Sequence, residues 1–210
     1  MTTPTYALDA NEVQVGTPNG PGVYLAAVGT APPTDTTSPW GTGWKILGYL
    51  SDDGPTIGQN TDSEDLTPWQ SIAPIRSVIT GRQVTLQMVL WQLNELTLGL
   101  YFDTDVPTPG AGGEISMDVR TDQAGHQYAV GIDSQDGDRV LRIAFPRANL
   151  TDAGDMPIKR GATVPLDVTL SALETSGVLA TVLLGPPAVG LAMTPSGNGS
   201  GTNGVHTSAA

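Results

Sequence analysis

The chain has 210 residues, no cysteine, and 21 acidic side chains against 9 lysines and arginines, a formal net charge of −12. That balance excludes a sustained nucleic-acid binder, which needs clustered Lys and Arg, and the lack of cysteine excludes disulfides, thiolate metal sites and a cysteine nucleophile. Charged residues are only 14% of the chain while Gly (26) and Pro (17) are abundant, a composition that predicts short strands and frequent turns with surfaces that lose little when covered by a neighbour.

Residues 1–21 are polar and punctuated by Pro4, Pro18 and Pro21, and carry neither the basic start nor the apolar stretch of a secretion signal. A strand is expected over Gly22–Gly29 (GVYLAAVG), a loop over Thr30–Gly43, and a strand over Trp44–Ser51 (WKILGYLS). Asp52–Ser71 holds five acids and no base, broken by Gly and Pro, and reads as a long functional loop. In RSVITGRQVTLQMVLW, Val84, Leu86, Met88 and Leu90 alternate with Gln83, Thr85 and Gln87, as a half-buried strand requires. The period then lengthens. Leu93, Leu96 and Leu100 fall three and four apart behind Asn94, a good helix N-cap, and Glu95. Five further strands are expected at Glu114–Arg120, Tyr128–Asp133, Arg139–Leu150, Thr163–Leu173 and Val178–Leu184, with tight turns at Ser134–Asp138 and Glu174–Gly177. Residues 1–185 therefore form one mostly β domain, a β-sandwich or barrel with one short flanking helix. Residues 186–210, rich in Gly, Ser and Thr, form a tail that cannot bury a face.

Chemistry is sparse. His126 and His206 are the only histidines, no G-x-S-x-G elbow occurs, and His126 reads better as an ordinary surface side chain than as a catalytic base. Two distant histidines give no zinc site. Asp133, Asp136 and Asp138 in DSQDGDR invite a calcium reading, but the segment lacks the alternating ligands and closing Glu of a calcium loop, and a hairpin turn is the simpler expectation. The G-x-G-x-x-G of Gly199, Gly201 and Gly204 has no strand before it and carries no dinucleotide meaning. With 5% aromatic residues a sugar cleft is poorly supplied. No catalytic residue, metal or cofactor is expected, and no apolar run reaches the ~18 residues of a membrane span.

Several segments together resemble the major tail tube proteins of long-tailed bacteriophages, those of actinobacteriophages in particular: GPGVYLAAVGTAPPTD (Gly20–Asp35), WKILGYLSDDGPTI (Trp44–Ile57), PWQS around Trp69, VTLQMVLWQLNELTLGLYF (Val84–Phe102), FPRANLTD (Phe145–Asp152) and PLDVTLSALETSG (Pro165–Gly177). Their order and spacing cover roughly residues 20–185. The resemblance implies a β-sandwich subunit that forms six-fold rings stacked into a hollow tube, assembled in the bacterial cytoplasm. Its partners would be its own copies, the tape measure and the tail terminator. DNA would pass in transit without specific binding, and no membrane would be involved. Contacts between subunits are expected on the acidic loop, at Asp52, Asp53, Asp62, Glu64, Asp65 and Trp69. Which of Asp118, Asp133 or Asp167 would face a lumen is left open. Two other readings share the fold class: a carbohydrate-binding module, and another virion part such as a capsid decoration or tail-completion protein.

Overall fold

Eight antiparallel strands and one short helix make up the computed structural model, which describes residues 13–16, 22–121 and 125–186. The expected tail beyond 186 and most of the N-terminal segment lie outside the described residues. In chain order the elements are β1 (Gly22–Ala27), β2 (Lys45–Ile46), β3 (Thr56–Leu66), β4 (Arg76–Leu90), α1 (Glu95–Tyr101), β5 (Gln127–Asp136), β6 (Arg139–Ala153), β7 (Leu166–Ala172) and β8 (Thr181–Leu184). The strands run β2-β1-β5-β6-β7-β4-β3, with β8 also on β6.

β6 changes partner along its length. Along the edge opposite β5, residues 141–144 pair with β8 and residues 148–153 with β7. Pro146 sits at the change of partner, where the register against β5 also slips between Tyr128 and Val130. Proline has no N–H for the ladder, so it is tolerated at such a bulge, and the bulge bends the strand. At the far side the chain after β1 closes the sheet. Leu47 N donates to Val23 O, and Leu50 then bridges Leu90 at the end of β4. The strand expected over Trp44–Ser51 is thus split between two neighbours. The split falls at Gly48, whose φ of 105° is open to glycine. A Cβ there would also strike the Gln92 side chain, whose Oε1 accepts from Tyr49 N.

The alternation in β4 lands where expected, with Leu86, Met88 and Leu90 buried and Gln87 exposed. They meet Val23, Leu25, Val130, Ile132, Phe145, Leu166, Val168 and Leu170 in one core. The helix forms as its cap predicts: Asn94 Oδ1 accepts from Leu96 N and Thr97 N, and Thr97 Oγ1 accepts from Asn94 N. Leu96 and Leu100 point into the core, and Asn94 Nδ2 also donates to Leu47 O, tying the cap to the closing segment. Asn94→Ala should therefore cost about 1–2 kcal/mol, at the upper end for a lost cap, read from urea denaturation followed by tryptophan fluorescence. A loss below about 0.3 kcal/mol would mean water replaces these bonds without penalty.

Two expectations are corrected. Glu114–Arg120 is not a strand; it belongs to an irregular stretch from Thr104 to Thr121. Its alternating Ile115, Met117 and Val119 satisfy the period of a strand, but among the described residues it pairs with no strand, and periodicity alone supplies no partner. The turn at Glu174–Gly177 does form, bridging Thr175 and Val178, with Ser176 and Gly177 both at positive φ. The strands it joins nevertheless do not pair with each other, because each takes a different stretch of β6.

Candidate functional site

The segment expected as an acidic loop is mostly a strand. Thr56–Leu66 pairs residue for residue with Arg76–Gln87, interrupted by one bulge at Asp62/Ser63. A polar run can be a strand when pairing satisfies its backbone and neither face has to be buried. The missing hydrophobic alternation that suggested a loop is the mark of a ribbon exposed on both faces. β7 reaches β4 only at Thr85–Leu90, so the outer part of the hairpin has no third strand on it. This arm extends on the order of 30 Å beyond the sheet, at about 3.3 Å per residue.

At its end, Ile75 N donates to Leu66 O and closes the hairpin, and Ser71 N donates to Pro68 O in the turn. The tip TPWQSIAPI (67–75) contains no charged residue. It does contain large apolar side chains: Trp69 is 99% exposed, Ile72 fully so and Ile75 71%. Leu66, Val78 and Ile79 are also exposed on the arm, with Val78 and Ile79 on opposite faces of the strand. Isolated two-stranded ribbons are marginal in water, and clustered exposed apolar side chains mark a surface that gets covered.

The six residues expected at subunit contacts are distributed over this arm. Asp52 and Asp53 lie in the turn at its root, before β3. Asp62, Glu64 and Asp65 are exposed on its outer half, opposite Gly81, Val78 and Ser77, and Trp69 is at the tip. The acids and Trp69 thus share one element without converging on a point. Sequence reading missed Ile72 and Ile75, which a count of large apolar residues inside a polar stretch would have found.

On the opposite side of the sheet the loop after β1 is held by a buried ion pair. Arg142 Nε and Nη2 donate to the two carboxylate oxygens of Asp133, each at 2.8 Å, and Nη1 donates to the carbonyls of Asp35 and Ser38. Trp40 Nε1 donates to Asp133 Oδ2, and its ring lies between Tyr24, Trp44 and the guanidinium. Bonding to the Asp133 carboxylate holds the Arg142 guanidinium above its usual range, against burial, which pulls it down. These residues line a shallow cavity of about 400 Å3. Its charged groups are already saturated by one another, so the cavity is the seat of the loop rather than a ligand pocket. Gly131 lies directly under Trp40, and a Cβ there would overlap the indole ring. Gly131→Ala should displace Trp40 and cost about 1–3 kcal/mol, with a changed near-UV circular dichroism spectrum as the readout; an unchanged spectrum would refute the placement.

In the same loop, Asp35 accepts from the backbone N–H and hydroxyl groups of both Ser38 and Thr37. These bonds, the Ser38 backbone bond first, hold its carboxyl well below the usual carboxylate range. A depressed folded pKa means the contribution is present above the ordinary carboxylate pKa and lost as pH falls through the folded value. The loop should therefore keep its Trp40 environment unchanged down through pH 4, seen by fluorescence. Loosening near pH 4 to 5 would contradict this.

The remaining chemical suspects are structural. His126 Nδ1 is 2.8 Å from Asp103 O and Nε2 is 3.1 Å from Asp105 Oδ1, binding the chain after α1 to the start of β5. Asp133 is committed to Arg142, and Asp136 Oδ2 accepts from Val15 N, so DSQDGDR forms a hairpin turn around Gly137 (φ 58°). Among the described residues no group of three or more His, Asp or Glu could hold a metal, and no helix is long and apolar enough to cross a membrane.

An antiparallel β-structure whose buried Asp133–Arg142 pair is spent on holding its own loop, and which carries an uncharged apolar tip outward on an arm, has the features of an assembly subunit. The phage tail tube protein family matches residues 6–184, and the chain belongs to that family. It is accordingly a structural component of the virion tail, of a family that assembles into a tube and is not enzymatic in general. No curated protein matches the chain.

Proposed function

We propose that this chain is the repeating subunit of hexameric rings that stack into the tail tube, assembled in the host cytoplasm and serving as the conduit for DNA ejection. The observation that carries the stacking role is the arm: a ribbon without a third strand, ending in an uncharged apolar tip. Contacts around a ring close on themselves, whereas a second contact along the axis repeats without closing and gives a filament. An arm that projects beyond its own sheet suits the second kind.

The acids at Asp52, Asp53, Asp62, Glu64 and Asp65 fit the flanks of such a contact, where they remain solvated and oppose wrong pairings, while Trp69 supplies the buried area. Net negative charge also suits a conduit, since DNA passing an acidic wall is not retained. Asp133 cannot contribute to such a wall because Arg142 and Trp40 enclose it. Asp118 is exposed and Asp167 is half-buried on β7. The tape measure and the tail terminator are the partners expected inside and at the end of the tube.

Concentrated purified protein should form rings or tubes in negative-stain micrographs, and the chain should be among the most abundant bands of purified particles. A persistent monomer, even with tail initiation components added, would sink the proposal.

A further inference from the structure

A second exposed apolar patch lies at the opposite end of β4 from the tip. Leu50 bridges Leu90, and Trp91 N donates to Tyr49 O, so Tyr49 and Trp91 face each other across the closing pair. Leu90 is buried, which turns both rings outward. Tyr49 is 78% exposed, and Trp91, Leu93 and Ile46 are exposed beside it. The glycine at 48 and the Gln92 bond to Tyr49 N fix this backbone, so the aromatic pair stands on a rigid base. Tyr49 is left mostly in water, and Trp91 is 41% exposed beside it.

β4 is 15 residues long, a contour of about 50 Å. It therefore carries an apolar tip at one end and an apolar receiving patch at the other. Two different surfaces at opposite ends of one strand give a head-to-tail contact, which propagates as a filament when the rotation between copies does not close a ring. The tip itself is uncharged, and its nearest flanking charges are Asp65 and Arg76, one of each sign, as it approaches Asp52 and Asp53. From these placements we propose that the tip residues Trp69, Ile72 and Ile75 of one copy seat on Tyr49, Trp91 and Leu93 of a second copy in the next ring. The inference rests on the tube reading and names the two surfaces that meet in it. Three aromatic and three aliphatic side chains bury about 800 Å2 in total, taking roughly 150–250 Å2 per aromatic, below the ~1,200 Å2 of a stable pairwise interface. A single contact is therefore weak, and the contact holds only when repeated around a ring.

The test uses the full chain, whose lack of cysteine makes introduced thiols unambiguous. In wild-type tubes, hydroxyl-radical labelling of Trp69, Tyr49 and Trp91 should fall several-fold together relative to dissociated subunits. Tubes of the Ile72→Cys/Leu93→Cys double variant, mildly oxidised, should give a ladder of disulfide-linked multimers, whereas either single variant should stop at dimers. Tubes in which Trp69 is protected while Tyr49 and Trp91 label as in the monomer would overturn the pairing and leave the tube reading intact. So would double-variant tubes that give no ladder. Should the double variant fail to assemble, the wild-type labelling decides alone. Wild-type protein that forms no rings or tubes would overturn both.

Discussion

Replacing Asp62–Gly81 by a two-residue Asn-Gly turn should leave a folded, soluble subunit that no longer forms tubes. Thr61 and Arg82 face each other in the ladder, so a tight turn can join them without straining the strands. The removed residues bury none of the core and receive no third strand. The unfolding free energy should accordingly change by less than about 1 kcal/mol, the range of surface changes away from packed features. Assembly should be lost outright, because the contact that repeats along the axis is gone. The paired measurements are a urea titration and negative-stain microscopy of the same sample. Normal tubes from the shortened chain would exclude the arm from stacking.

Arg142→Ala should be the most damaging single substitution outside the aliphatic core, at about 3–5 kcal/mol, the cost of leaving one partner of a buried ion pair behind. The Asp133 side chain is 3% exposed and would lose two of its three donors, and the carbonyls of Asp35 and Ser38 would lose theirs. Released from the guanidinium, Trp40 and the loop of residues 30–43 should loosen together, visible as red-shifted fluorescence and faster amide exchange. Arg142→Met together with Asp133→Leu should recover much of the stability, because an apolar pair of similar volume leaves no uncompensated charge. A loss below 1 kcal/mol in the single variant would show that the pair is solvated.

Much of this was legible in advance, and the residues say why. Periodicity located β4 and β7 because one face of each is buried, and the Asn94 cap located α1 because capping is a local bond. The Asp133–Arg142 pair was also within reach, since the hairpin turn at Gly137 places those two positions directly opposite each other. The aspartates of DSQDGDR resemble cation ligands in one dimension, which hides this cross-strand pairing.

The sequence by itself determined a mostly β, acidic subunit with one capped helix. Those properties follow from residue types and short-range periods. Only the tertiary structure decided that the acidic stretch is an arm rather than a loop, because pairing along β4 satisfies its backbone while leaving no hydrophobic pattern to read. The unpaired course of Glu114–Arg120 was decided the same way, since a strand needs a neighbouring edge that its own residues cannot specify. The two exposed patches at the ends of β4 belong to that level too: Tyr49 and Trp91 are 42 positions apart in the chain and meet only when the closing segment bridges Leu90.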